Sequence, residues 1–333
     1  MKSPLLPSAP LLLALLALSG CGAVQVYPPE GRPRSACPLP TEEAERFEYE
    51  LVEAAPLVPA WDDGEADVSH GSLQVRLMGE EEPTPIKFEY WRSRVAEERW
   101  GPRAPAIVIT PILGGGRSIS RSQCRTLVAA GYHVALVDRG GRVMAEHWPI
   151  ETVDLFLRRA VVGRRAVVDW LQQRPEVDPG RLGAMGISMG GIITTLLFAA
   201  EPRLESAVIA LAGADVPRIV ATSSEGRLVR WREARAAELG SEEQVEAALR
   251  AAFPSDPGTL ARTIDPRRVF LVTARLDTVV PTAAQEQLWE DLGRPLRYDL
   301  PTGHYTGILY LPWVLDAATT WWDARFAREA PAE

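Results

Sequence analysis

No stretch of about 20 consecutive apolar residues occurs in the sequence, so no segment has the length of a membrane-crossing helix. There is no basic excess either. Lys and Arg number 36 against 44 Asp and Glu, giving a net charge of −8 and a pI near 5.3. A surface that follows phosphates needs the opposite balance, so no nucleic-acid partner is expected. Three Cys and four His are too few and too scattered for a zinc cluster. Neither an H-E-x-x-H helix nor a P-loop is present, and Gly114-Gly115-Gly116 lacks the spacing and the Lys of a phosphate cradle. No metal or cofactor is therefore expected. No internal repeat is visible. What is there is 333 residues, 46% of them hydrophobic and 24% charged, enough to bury a sizeable core. With 28 Pro and 26 Gly, many loops must punctuate short elements.

The first apolar stretch, Leu5 to Leu18, is interrupted by Pro7 and Pro10 and suits the core of an export signal. Leu18-Ser19-Gly20-Cys21 follows it and resembles the lipobox of bacterial lipoproteins. That resemblance implies cleavage after residue 20 and a lipidated (palmitate-type) Cys21 as the mature N-terminus, hence a protein anchored to the bacterial envelope. Gly22 in place of Asp leans towards the outer membrane, by resemblance to enterobacterial sorting. The alternative is an ordinary signal with a chance Cys. Export permits a disulfide between Cys37 and Cys124, the alternative being a buried thiol at Cys124. Residues 21–60 are rich in Pro, Glu and Arg and read as the lipidated Cys followed by a tether, with a short helix around Thr41–Val52.

Residues 61–327 read as one α/β domain. Val68–Met78 and Ile86–Trp91 suit two extended strands around an acidic turn. Ala106–Thr110, His133–Asp138, Arg181–Ile187, Ala207–Ala212 and Val269–Thr273 are short apolar runs, expected where strands are buried on both faces. Helical patterns alternate with them: Ser118–Ala130, Glu151–Gln173, Ile192–Ala200, Thr282–Leu292 and about Pro312–Phe326. This alternation predicts a mostly parallel central sheet with helices on both faces. Residues 215–264 exceed a normal crossover and are amphipathic, so a helical cap over the carboxyl edge of the sheet is expected.

Gly186-Ile187-Ser188-Met189-Gly190 is a G-x-S-x-G pattern set between an expected strand and an expected helix. Small residues flank the serine because a sharp strand-to-helix turn leaves no room for side chains two positions away. Here the sequence resembles the α/β-hydrolase superfamily. Asp178 to Gly191 is similar to the nucleophile turn of dienelactone-hydrolase-like and prolyl-oligopeptidase-like members. The resemblance implies the chain order nucleophile, acid, histidine. His70, His133 and His147 all precede Ser188, whereas His304, in Pro301-Thr302-Gly303-His304-Tyr305, stands where the superfamily places its base. Asp277 in Asp277-Thr278-Val279-Val280-Pro281 matches the acid position, with Asp215 as a rival and a helix N-cap as the plain reading of either.

An oxyanion hole needs two N–H groups aimed at the developing charge. Met189 supplies one by the superfamily rule, and Leu113 or Ile112 is expected to supply the other, because Pro111 has no N–H. The usual His-Gly pair is missing from that loop. Trp148, Trp231 and Trp313 are candidate substrate contacts. The expected activity is a serine hydrolase acting on small acyl esters through an acyl-enzyme. A serine peptidase of the same fold and a non-catalytic binding lipoprotein are the alternatives.

Overall fold

A computed structural model describes residues 23–34, 38–113, 117–139 and 143–327. Cys21 and Cys37 lie outside these residues, and so do Gly114, Gly115 and Gly116. The strands in chain order are β1 (Gln25–Tyr27), β2 (Tyr49–Ala54), β3 (Val58–Asp62), β4 (Ala66–Leu77), β5 (Thr84–Ser93), β6 (Ala104–Thr110), β7 (His133–Val137), β8 (Val177–Ile187), β9 (Ser206–Ala210), β10 (Val269–Ala274) and β11 (Leu296–Leu300). The principal helices are α1 (Thr41–Glu45), α2 (Ala96–Trp100), α3 (Ser118–Ala129), α4 (Glu151–Gln172) and α5 (Met189–Ala200). After them come α6 (Val216–Thr222), α7 (Gly226–Leu239), α8 (Glu242–Ala252), α9 (Pro257–Ala261), α10 (Thr282–Asp291) and α11 (Leu311–Phe326).

All strands join one sheet in the order β1-β11-β10-β9-β8-β6-β7-β5-β4-β2, with β3 also on β4. The pairs among β6 to β11 are parallel; β1 on β11 and every pair involving β2 to β5 are antiparallel. Every position of β6, β7, β9 and β10 is buried, as their unbroken apolar runs require of strands covered on both faces. One core, with α4 and α5, lies on one face; the other, with α3 and α11, lies on the opposite face. β4 feeds both. Ala66 and Val68 face the α3/α11 side, whereas Leu73, Val75 and Leu77 face the other. The change of parity falls at Gly71, where a Cβ would stand 2.1 Å from the Phe88 ring.

β6 lies between β7 and β8, the two strands that follow it, so the winding direction reverses there. A crevice opens beyond the carboxyl ends of strands at such a reversal.

One expectation needs correction. Much of residues 23–60 is not a tether. β1 extends the sheet beyond β11, with Tyr27 packed 5.6 Å from Trp289 and under the Arg297 guanidinium at 4.3 Å. β2 and β3 pair with β4, and the Tyr49 hydroxyl donates to Asp169. The proline content that suggested a tether is compatible with strands at a sheet margin, where one side of the ladder has no partner; Pro59 sits in such a strand. The short helix α1 precedes these strands and does not extend to Val52.

The segment after β9 is helical and forms α6 to α9. Leu228, Trp231, Val245 and Leu249 are buried in the same core as α4 and α5, and the Trp231 indole donates to the Trp148 carbonyl at 2.9 Å.

Candidate active site

Ser188 is held in a backbone conformation that few L residues adopt, with φ 60° and ψ −127°. It forms the corner between β8 and α5. Its N–H donates to the Ala210 carbonyl at 2.8 Å and its own carbonyl accepts from Gly191 at 2.8 Å, so β9 and the helix fix the corner from both sides. The flanking glycines are a steric necessity. A Cβ on Gly186 would lie 2.1 Å from the Gly190 carbonyl oxygen, and one on Gly190 would lie 2.3 Å from that of Thr110.

His304 follows β11 on the loop leading to α11. Its Nε2 is 2.9 Å from Ser188 Oγ and its Nδ1 is 2.7 Å from Asp277 Oδ2. The Asp277 side chain is fully buried at the end of β10. Its Oδ1 accepts from the N–H groups of Val279 (2.8 Å) and Val280 (2.9 Å), and its Oδ2 accepts from Gln285 Nε2 (3.0 Å). A carboxylate bonded in this way is held in place, and its Oδ2 accepts the imidazole proton on Nδ1. Nε2 is then free to take a proton from the serine hydroxyl.

Asp215, the rival acid, has the plain role instead. It caps α6, accepting from Arg218 N at 3.2 Å, and pairs with Arg250 at 3.1 Å. His133 is a satisfied core residue: its Nδ1 accepts from Ser93 N, and burial pushes its pKa down to about 4. His70 and His147 are exposed and outside the cavity. Trp148, Trp231 and Trp313 do not line it either. Trp231 is buried in the core, and Trp313 stacks on Tyr298 with centroids 5.0 Å apart. Cys124 is a buried free thiol, which burial keeps protonated well above the usual thiol range.

Met189 opens α5, so its N–H is one of the four at a helix start without an intrahelical acceptor. Ile112 and Leu113 line the cavity on the loop after β6. Two arginines hold that loop: Arg139 donates to the carbonyls of both residues, and Arg227, from the start of α7, donates to Leu113 at 3.2 Å. Burial and the charge of Arg227 lower the Arg139 pKa. Beneath the loop, the buried Arg164 donates to Thr110 Oγ1 at 2.8 Å and to the Ala160 carbonyl at 2.7 Å.

Sequence reasoning missed Gln285, Arg139, Arg164 and Arg227. Gln285 sits one helical turn inside α10 with nothing unusual around it, and its partners Ala274, Asp277 and Val280 stand 11, 8 and 5 residues back. Only folding brings them together.

The serine opens into a cavity of about 320 Å³. Its walls are almost entirely aliphatic, with Val153 and Leu157 from α4, Ile192 from α5 and Ile219 and Leu228 from the segment after β9. The exceptions include Ser188, His304, Tyr305 and Glu225. Glu225 caps α7 through the N–H groups of Arg227 and Leu228, which directs its carboxylate to backbone.

With this geometry in place, residues 118–298 match the model of the prolyl oligopeptidase family. The chain belongs to that family. It is thereby a serine hydrolase, with the mixed, mostly parallel sheet of the α/β-hydrolase fold. Among solved structures, an acetyl xylan esterase from a Paenibacillus species is similar at 18% identity, covering 90% of this chain and 97% of that one, with a TM-score of 0.62. Acetyl xylan esterase 1 from a Thermoanaerobacterium species has 18% identity over 86% and 96% of the two chains, with a TM-score of 0.59. The acylaminoacyl peptidase of Pyrococcus horikoshii has 13% identity over 85% of this chain and 52% of that one, at 0.53. At such identities the likeness is one of fold. No curated sequence matches the chain.

Proposed function

We propose that the protein hydrolyses carboxylic esters with an apolar acyl group, using Ser188, His304 and Asp277 as one catalytic unit. The hydrogen-bonded chain Ser188–His304–Asp277, opening into an aliphatic cavity, carries this reading. Ser188 Oγ attacks the ester carbonyl carbon while its proton passes to His304 Nε2. Asp277 stabilises the imidazolium that results. The oxyanion is received by the N–H of Met189 and one from Ile112 or Leu113. His304 returns the proton to the departing alcohol, leaving the acyl group on Ser188. Water then attacks, giving its proton to His304, and the acid leaves as Ser188 regains a proton.

At roughly 30 Å³ for a water-sized group, a cavity of this size takes on the order of ten heavy atoms. An aliphatic wall rewards each buried methylene by ~0.8 kcal/mol. Medium acyl chains are therefore the favoured substrates over acetyl. A panel of p-nitrophenyl esters from acetate to decanoate tests this. kcat/KM should rise with chain length by at least about tenfold before falling, since two to three methylenes correspond to that much binding energy. A fluorophosphonate should label Ser188. A flat or acetate-peaked profile rejects the acyl assignment. Failure both to hydrolyse any ester and to take the label leaves a binding lipoprotein as the better reading. Cleavage of peptide amides without ester preference favours the peptidase.

The lipobox-like Leu18-Ser19-Gly20-Cys21 supports a second part of the proposal, that the mature protein begins at a lipidated Cys21 on the bacterial envelope. Mass spectrometry of the membrane fraction should find a diacylated or triacylated N-terminus there.

A further inference from the structure

β1 runs antiparallel to β11, with Gln25 opposite Asp299, so its beginning lies at the carboxyl edge of the sheet. The strand is pinned there. Arg275, the first residue beyond β10 and two residues before Asp277, donates from its guanidinium to the Ala23 carbonyl. Only Gly22 stands between Cys21 and Ala23 in the sequence, and two residue steps span at most about 7 Å. The point of acylation is thus tied to the edge of the molecule that carries the active-site mouth.

The surface around that mouth is apolar. Leu276 is 68% exposed, Tyr305 68%, Ile308 43% and Leu309 78%, and Val26 in β1 is 53% exposed. Nine large hydrophobics are exposed among the described residues, and four of them, Leu276, Tyr305, Ile308 and Leu309, flank the His304 loop: Leu276 N donates to the Thr302 carbonyl. Tyr305 and Ile308 continue into the cavity wall. Isolated exposed hydrophobics are ordinary, but a cluster at a cavity entrance marks an interaction surface. No helix among the described residues is long and apolar enough to cross a membrane.

We infer that the active-site mouth rests on the lipid bilayer that holds the N-terminal acyl chains, with Leu276, Ile308 and Leu309 in the interface, so that acyl substrates enter from the membrane. The inference rests on the proposed ester hydrolysis and lipidation. An acyl chain leaving the bilayer would then pass from lipid to the aliphatic cavity without exposing its methylenes to water.

The test uses full-length lipidated protein reconstituted in phosphatidylcholine–phosphatidylglycerol vesicles, with Cys37→Ser so that a single introduced thiol is labelled. Bimane at Leu309→Cys should be quenched by nitroxide-bearing lipids, whereas bimane at Pro179→Cys, at the opposite end of β8, should not. Leu276→Glu with Leu309→Glu should lower hydrolysis of a vesicle-dissolved ester about tenfold and leave a water-soluble short-chain ester within about twofold, since neither side chain lines the cavity. No quenching at 309, or stronger quenching at 179, overturns the orientation. So does an equal loss on both esters. An N-terminus without lipid overturns it together with the anchor. Should the unaltered protein hydrolyse neither ester, the ester reading fails, and the quenching pattern still decides which face meets the bilayer.

Discussion

Ser188, His304 and Asp277 come from three separate turns, and in the proposed reaction they act together. Ser188→Ala and His304→Ala should each reduce kcat on the order of 10⁴-fold or more, and the double variant should be little worse than either, as for groups that act as a unit. Steady-state kinetics on the preferred ester checks both. Gln285 is the residue whose role folding revealed. It donates to Asp277 Oδ2 (3.0 Å) and to the Val280 carbonyl (2.8 Å), and its Oε1 accepts from Ala274 N. Gln285→Leu should lower kcat about tenfold with KM unchanged within twofold, because a lost bond to a charged group is worth about 1.5–3 kcal/mol and only part of that reaches the imidazole. Gln285→Glu should alter the pH profile as well, since it sets a second carboxylate beside Asp277. A kcat equal to that of the parent in both variants would make Gln285 a core residue and nothing more.

At the level of elements, the strand–turn–helix formed by β8, Ser188 and α5 leaves no slack. Gly190→Ala must displace the backbone at Thr110, so a loss of about 1–3 kcal/mol in urea unfolding is expected, together with a damaged oxyanion loop. The helices between β9 and β10 shape the cavity while sharing its core. Ile219→Trp should fill the acyl space and move the chain-length optimum towards acetate with little change in fold. Trp231→Ala should instead destabilise the protein by about 3–5 kcal/mol, as expected for removing a buried aromatic. A folded protein with the original chain-length profile after Ile219→Trp would assign the acyl site elsewhere. The pattern of this segment was legible as amphipathic helices. Its continuity with the core was not, because burial depends on what the apolar stripe meets.

For the whole molecule, pH acts on stability through His133, buried in β7 beside Tyr90. Burial, with Arg92 adding to it against an opposing effect of Glu176, lowers its pKa to about 4. Between about pH 6.5 and pH 4 the unfolded chain therefore binds a proton that the folded one refuses. The associated stability is complete above pH 6.5 and is lost as pH falls through 4, a change on the order of 3 kcal/mol. His133→Asn, which retains an acceptor for Ser93 N, should flatten that part of the urea-midpoint profile. An unaltered slope would assign the acid sensitivity to other groups.

The sequence by itself determined the buried parallel strands, because continuous apolar runs such as Ala106–Thr110 have one stable place in an α/β sheet. It also determined part of the serine turn: the demand on Gly186 is local, set by the Gly190 carbonyl, whereas the demand on Gly190 comes from Thr110 on the neighbouring β6. The run Asp277-Thr278-Val279-Val280-Pro281 favoured Asp277 over Asp215 in the sequence, and the meeting of β10 with the His304 loop is what brings the Asp277 carboxylate to the imidazole. The edge strands of residues 23–62 were decided by tertiary structure. Short, proline-containing segments carry little intrinsic preference for strand, and they become strands when β4 and β11 present unpaired edges to them. The same pairing carries Ala23 to the carboxyl edge of the sheet, a placement that no local pattern encodes because its partner, Arg275, stands 252 residues away.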